Sequence, residues 1–516
     1  MSLVALAVGL GIASESAQSE TLEQARGAYR IRLAELAKSL RNKDRESEAK
    51  RVEEWGITRF PDRRYLFCPH VPSNHVRSRD PDLSSQPDEF LTLRREHAQH
   101  LWELAQHLLK DGDWVSAYEL AHEVAREDPH HAPAGRVIGM KPIRTSANLR
   151  ARRIGRRHPQ WGWKGGTYWQ LDSPHFMILS HAQPEALPRI ARELEMLRAA
   201  WEQLFVDFSH SRSEVERAFD GYTLPRPRIR HRVVFFRDQA EYQDALRSRE
   251  PHVDLTLGMY RSPDRCSYFF HSESDLRATW QHEATHQLFF EHGPGVQAIG
   301  EGANFWIVEG IAVYMESLQR FPGYVTLGGI DAPRLQHARY RTLNMGTAIT
   351  FADAARFGRS EVQNHSDIRA LYSHFAGMTH FLMDFDHGRY RDLVATYLRS
   401  IYDGRDTVDT WGEVAGASLT RLDSEYQRSF LPIDDTALPC LAASRRLPKL
   451  VLGHCPVTSA GIGGLAQRPI QTLEWLDLTA CPIDDAAVIW LRKALRLEQL
   501  SLEDTLISDA TLSALS

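Results

Sequence analysis

A leucine pattern recurs three times towards the end of the chain: Leu450-x-Leu452-x-x-Cys455, Leu476-x-Leu478-x-x-Cys481 and Leu500-x-Leu502-x-x-Thr505, at spacings of 26 and 24 residues. Each copy is followed by a similar tail, Val457-Thr458-Ser459-Ala460, Ile483-Asp484-Asp485-Ala486 and Ile507-Ser508-Asp509-Ala510. Self-similarity at such a period restricts the fold sharply, because one short unit cannot bury its own apolar side and must stack on the next. The Leu-x-Leu alternation places both leucines on one face of a short strand. The 516 residues are also too many for one typical core, so two to four domains are expected.

These motifs resemble the cysteine-containing class of leucine-rich repeats, in which a short strand lines a concave face and a helix backs it. The resemblance implies an α/β array over 440–516, three repeats long and with no visible cap, since Ser516 falls inside the last expected helix. It also puts Cys455 and Cys481 inside turns, as buried structural groups. The other cysteines are Cys68, Cys266 and Cys440. An odd count with no C-x-x-C pair suggests neither a disulfide framework nor a cysteine-held metal.

At the other end, Leu3 to Ala13 is an apolar run too short to span a bilayer, followed by small and polar residues. It reads as a signal segment, 1–17, and implies export to a periplasmic or extracellular space; without that reading the chain is cytoplasmic. No other stretch is apolar enough to span a membrane. Residues 18–141 carry helical spacing. Within them His97 to Ala134 resembles one tetratricopeptide unit, with Gly112, Ala117, Ala121 and Asp128-Pro129 at the packing and stop positions. A single unit is expected to dock on neighbouring helices. Residues 142–166 are rich in Arg and end in Trp161 and Trp163, and read as a basic linker. With a formal net charge of −5 and no second basic module, no nucleic-acid partner is expected.

From Thr167 the pattern becomes mixed. Strands are expected at 168–171, 175–179 and 230–236, helices near 184–206 and 239–247, and a hairpin through 258–270 around Ser262-Pro263-Asp264. The whole is therefore expected to be multidomain α+β, with 167–435 as its central domain.

That domain contains His282-Glu283-Ala284-Thr285-His286. On a helix, histidines at i and i+4 share a face and can hold one metal ion, with Glu283 beside them. With 24 histidines in the chain the five residues alone are modest support, but the flanks lack Pro and Gly and carry Leu276, Trp280, Leu288 and Phe289. A hydrolytic zinc needs three protein ligands and an open position. Glu309, 23 residues after His286, lies in the apolar stretch Trp306 to Glu316, where a bare carboxylate is costly. His292 competes at metzincin spacing, but Phe289 stands where that pattern needs a turning glycine. Glu309 is the favoured ligand.

The segment His282 to Glu316, with its W-x-x-E-G-x-x-x-Y-x-E second helix, resembles the gluzincin metallopeptidases, particularly the aminopeptidase-N branch. The resemblance implies one Zn²⁺ on His282, His286 and Glu309, with Glu283 as the base that activates a zinc-bound water. It implies Glu316 as a carboxylate orienting a ligand, and Tyr372, 63 residues past Glu309, as an oxyanion donor, with His374 a weaker candidate. The strand around Ser267 to Phe270 is expected to pair with an extended substrate. The G-x-M-E-N strand of aminopeptidases is absent before His282, so exopeptidase specificity is not implied. The expected function is zinc-dependent hydrolysis of peptide bonds within a peptide or protein chain. The alternative is a non-enzymatic interaction protein that binds a protein partner through its repeats and keeps a structural or vestigial zinc site.

Overall fold

The computed structural model describes residues 3–68, 88–139, 149–225, 229–295, 298–416, 418–444, 446–465 and 467–515. Side chains of residues 3–21 lie outside that description, and with them the run read as a signal; so do residues 142–148 of the expected linker. The chain is mixed, 54% helix and 10% strand, an α+β architecture. Among the described residues no helix is long and apolar enough to cross a membrane.

The N-terminal part is helical except for β1 (Arg63–Phe67). Helices Asp88–Lys110 and Trp114–Glu127 pack as a hairpin, turned by Gly112 at φ 92° and capped where Asp113 accepts from Ser116 N.

The central sheet has six strands: β2 (Arg152–Arg153), β3 (Trp169–Asp172), β4 (Phe176–Ser180), β5 (His231–Phe236), β6 (Met259–Arg261) and β7 (Cys266–Phe270), in the order β2-β3-β4-β5-β7-β6. β4, β5 and β7 run parallel, and β6 folds back antiparallel as the edge. All of β7 is buried, as a strand inside a covered sheet must be. Helix Leu187–Leu204 crosses over the sheet between β4 and β5, and helix Arg277–His292 packs on it.

Two expectations are corrected here. Ser267 to Phe270 form an interior strand with β5 on one side and β6 on the other, so they have no free edge for a substrate. The segment read as a linker contributes β2 to the sheet, and Trp163 is buried against Tyr168 and Phe236, its indole donating to Glu241. Burying the Trp163 indole against the sheet outweighs leaving the arginine-rich segment before it free in solvent.

A second sheet, β1-β9-β8, joins the N-terminal part to the centre through β8 (Gln319–Phe321) and β9 (Tyr324–Gly328). The third holds the leucine motifs: β10 (Lys449–Val451), β11 (Trp475–Asp477) and β12 (Gln499–Ser501), parallel, with Leu450, Leu476 and Leu500 in register. His454, Ala480 and Asp504 take left-handed φ of 59°, 55° and 55° at equivalent positions, turning the chain after each strand. Cys455 and Cys481 are buried, and the Cys481 thiol donates to the Leu452 carbonyl (2.9 Å). The face of this array does not stand free. Gln336 Oε1, on helix Pro333–Arg339, accepts from Val451 N (2.6 Å), and Asn344 Nδ2 donates to Asp477 (2.5 Å).

Candidate metal centre

Helix Arg277–His292 carries His282, Glu283 and His286, and is fixed to the sheet by a buried polar chain behind it. Ser267 donates to Gln287 (2.7 Å), Gln287 to Glu291 (2.9 Å), and Glu291 lies 2.8 Å from His231 Nδ1. Each of these groups finds a partner, so the helix can neither rotate nor slide without stranding one.

Helix Phe305–Met315 is buried along its whole length. It starts at Asn304, which takes a left-handed φ of 58° and is held by its amide to Asp406 and Thr407 (both 2.8 Å). Gly310 lets this helix approach helix Ile368–Asp384 so closely that a Cβ would collide with Thr379 Oγ1. The close approach brings Glu309 and Tyr372 to one place.

There Glu309 Oε2 lies 3.2 Å from His282 Nε2 and 3.6 Å from His286 Nε2, and the two histidine nitrogens lie 3.2 Å apart. Among the described residues these are the three side chains placed to share an ion. Ligands about 2.0–2.1 Å from a tetrahedral zinc stand about 3.3 Å from one another, so the three edges fit one ion. Glu309 Oε2 is buried and finds no aligned donor, despite the nearby nitrogens. Glu316 Oε1 lies 2.9 Å from His282 Nδ1, which directs the other ring nitrogen at the centre. The second Glu316 oxygen accepts from Arg334 Nε (3.2 Å).

Burial works against a charged His282, yet Glu309 and Glu316 outweigh it and hold its pKa well above the usual value. Burial likewise opposes ionisation of Glu309, and His286 and His282 outweigh it, holding that carboxylate well below its usual range. With Glu316 also paired to Arg334, Glu309 and Glu283 are the carboxylates left facing the two imidazoles. Burial raises the Glu283 carboxyl above its ordinary value, opposed by His282 and His286. Its Oε2 accepts from Tyr260 N (2.8 Å), and among the described residues no donor reaches the other oxygen. Strand β6 turns that N–H away from β7, so the free edge of the sheet borders the site.

Tyr372 is half-buried, its ring stacked 6.4 Å from that of His282, and burial, then the Glu309 carboxylate, hold its hydroxyl well above the ordinary tyrosine pKa. His374 points elsewhere, buried near Arg341 and Asp367, and burial pushes it down to about 4. His292 lies away from the cluster: Nδ1 is 2.9 Å from the Leu288 carbonyl, its ring packs on Trp201 (4.7 Å), and burial pushes it down to about 3. Two contributors had no signal in the sequence. Tyr260 acts through its backbone, which any residue supplies, and Arg334 lies 18 residues past Glu316 with no periodic relation to it.

The family model described as a protein of unknown function (DUF1570) matches residues 277–400, which begin at the first residue of the His282 helix and include Tyr372. No curated protein matches the chain.

Proposed function

We propose that the chain is a zinc-dependent peptidase that cleaves within peptide chains. The observation that carries this reading is the meeting of His282 Nε2, His286 Nε2 and Glu309 Oε2 at mutual distances of 3.2–3.6 Å, with the Glu283 carboxylate beside them. Zinc held by these atoms would supply Lewis acidity, which brings a water's pKa to about 7 and polarises a carbonyl.

The rest falls to the protein. Glu283, anchored at one oxygen by Tyr260 N–H, takes a proton from water through the other as the water oxygen attacks the peptide carbonyl carbon. The C–N bond then breaks and Glu283 passes the proton to the departing amine, so one water is added across the bond. We assign Tyr372, whose ring stacks 6.4 Å from that of His282, as the donor to the developing oxyanion. Glu316 keeps His282 in one tautomer. The edge of β6 offers backbone groups to an extended chain. We assign the leucine motifs to a leucine-rich-repeat array and the helical hairpin at 88–127 to a tetratricopeptide-like scaffold, both as flanks that hold and select substrate.

The test is metal analysis of the purified protein together with cleavage of a reduced, alkylated protein by wild type and Glu283→Gln. Zinc in both and turnover in wild type alone is the expected result. Zinc in both with equal, null turnover would sink the peptidase and leave the interaction protein.

A further inference from the structure

Between the metal centre and the first leucine strand the surface is basic and aromatic. Arg334 spends only Nε on Glu316; its side chain is 43% exposed, and among the described residues its terminal nitrogens meet no acceptor. His337, three residues along the same helix and so on the same face, has Nε2 3.4 Å from Lys449 Nζ on β10. The Lys449 ammonium lies 5.6 Å from the centre of the Trp475 ring, which in turn faces the rings of His337 (6.1 Å) and Tyr340 (5.1 Å). Arg341 adds a third cation.

Burial, then Lys449, Arg334 and Arg341, push His337 down to about 4, so it stays neutral and cannot relieve the crowding by losing a proton. The carboxylates at hand are engaged: Glu316 with His282 and Arg334, Asp367 with Arg341, and Asp477 with Asn344. Among the described residues no carboxylate pairs with Lys449. Arg334 and Arg341 each share a carboxylate, so the uncompensated cation of the strip is Lys449, with the terminal nitrogens of Arg334 open beside it, and an anion that joins them would complete the charge balance.

We propose that this strip binds an acidic stretch of the substrate, so that peptide bonds flanked by Asp or Glu are preferred, with Arg334 nearest the reacting atoms and Lys449 and Trp475 reading residues further out. The inference rests on the peptidase reading and names its substrate class. It also gives the repeats a task, since two of the reading groups stand on β10 and β11. A guanidinium anchored at Nε presents its remaining nitrogens to a carboxylate in fixed geometry, and the indole wall covers aliphatic stems.

The experiment measures binding without cleavage. A fluorescently labelled Glu-rich decapeptide and its Gln counterpart are titrated into full-length Glu283→Gln protein at low and at physiological salt. The acidic peptide is expected to bind at least about tenfold more tightly, an advantage that shrinks with salt. Lys449→Gln, which leaves zinc content unchanged, and Arg334→Gln should each weaken the acidic peptide by about three- to tenfold and leave the Gln peptide as it was. Equal affinity for the two peptides, no effect of Lys449→Gln, or tighter binding of a sulfated polysaccharide would overturn the proposal. Acidic preference without proteolysis by wild type counts against the peptidase reading alone; proteolysis without acidic preference counts against the strip alone.

Discussion

Replacing Glu309 with Ala removes the oxygen that faces both histidines at 3.2 and 3.6 Å, and the expected result is protein that no longer retains zinc on dialysis. His292→Ala should retain it, because that ring packs on Trp201 with its Nδ1 at a backbone carbonyl. The reverse pattern would move the centre to the other spacing. Glu316→Gln leaves all three ligand atoms in place yet loosens the His282 tautomer, so zinc affinity, read by competition with a chelating dye, should fall about 10–100-fold. His282, Glu283 and His286 were legible in the sequence because H-E-x-x-H is a local device in which helical geometry alone puts the two histidines on one face, and Glu309 because a bare carboxylate is costly in an apolar stretch. Arg334 and the Tyr260 amide were not, since their roles arise from which strand and which helix the fold lays beside the motif.

For the elements, the close crossing at Gly310 makes a direct test. Gly310→Ala forces helix Phe305–Met315 off helix Ile368–Asp384, at a cost of about 1–3 kcal/mol, and carries Glu309 with it. Thermal unfolding and zinc affinity should both drop, and adding Thr379→Ala should restore part of each; no recovery would show the collision to be elsewhere. The N-terminal helices carry a pH dependence. Burial opposes ionisation of Glu123, but Arg26 and Arg59 outweigh it and hold the carboxylate at about 2. Between the ordinary carboxylate range and pH 2 the unfolded chain therefore binds the extra proton, so this contribution is whole above that range and is lost as pH falls towards 2. The urea midpoint of wild type should fall on going from pH 6 to pH 3, and the gap between wild type and Glu123→Gln should narrow over the same interval.

Across the whole molecule, a buried ion pair adds to the contacts that tie the parts together. Arg63 on β1 donates to Asp331 (2.5 Å), which also accepts from Ser444 (2.5 Å) just before β10 and from Gln319 (3.1 Å) on β8; the Arg63 and Asp331 side chains are 0% and 1% exposed. Asp331→Ala strands a guanidinium in the interior and should cost about 3–5 kcal/mol in denaturant unfolding, whereas Arg63→Met with Asp331→Leu should cost less than the single change. Equal losses would mean that the pair holds nothing together. By itself the sequence determined what short-range periodicity encodes: strands β3 to β7, the helix under His282 and His286, and a leucine pattern whose strands align at Leu450, Leu476 and Leu500, because spacing along one element dictates which side chains share a face. Only the tertiary structure decided that Ser267 to Phe270 lie inside the sheet, that the arginine-rich segment before Thr167 adds a strand to it, and that Arg334 reaches Glu316. Those outcomes depend on which surfaces bury the most apolar area against each other, a property of pairs of elements far apart in the chain that no local pattern records.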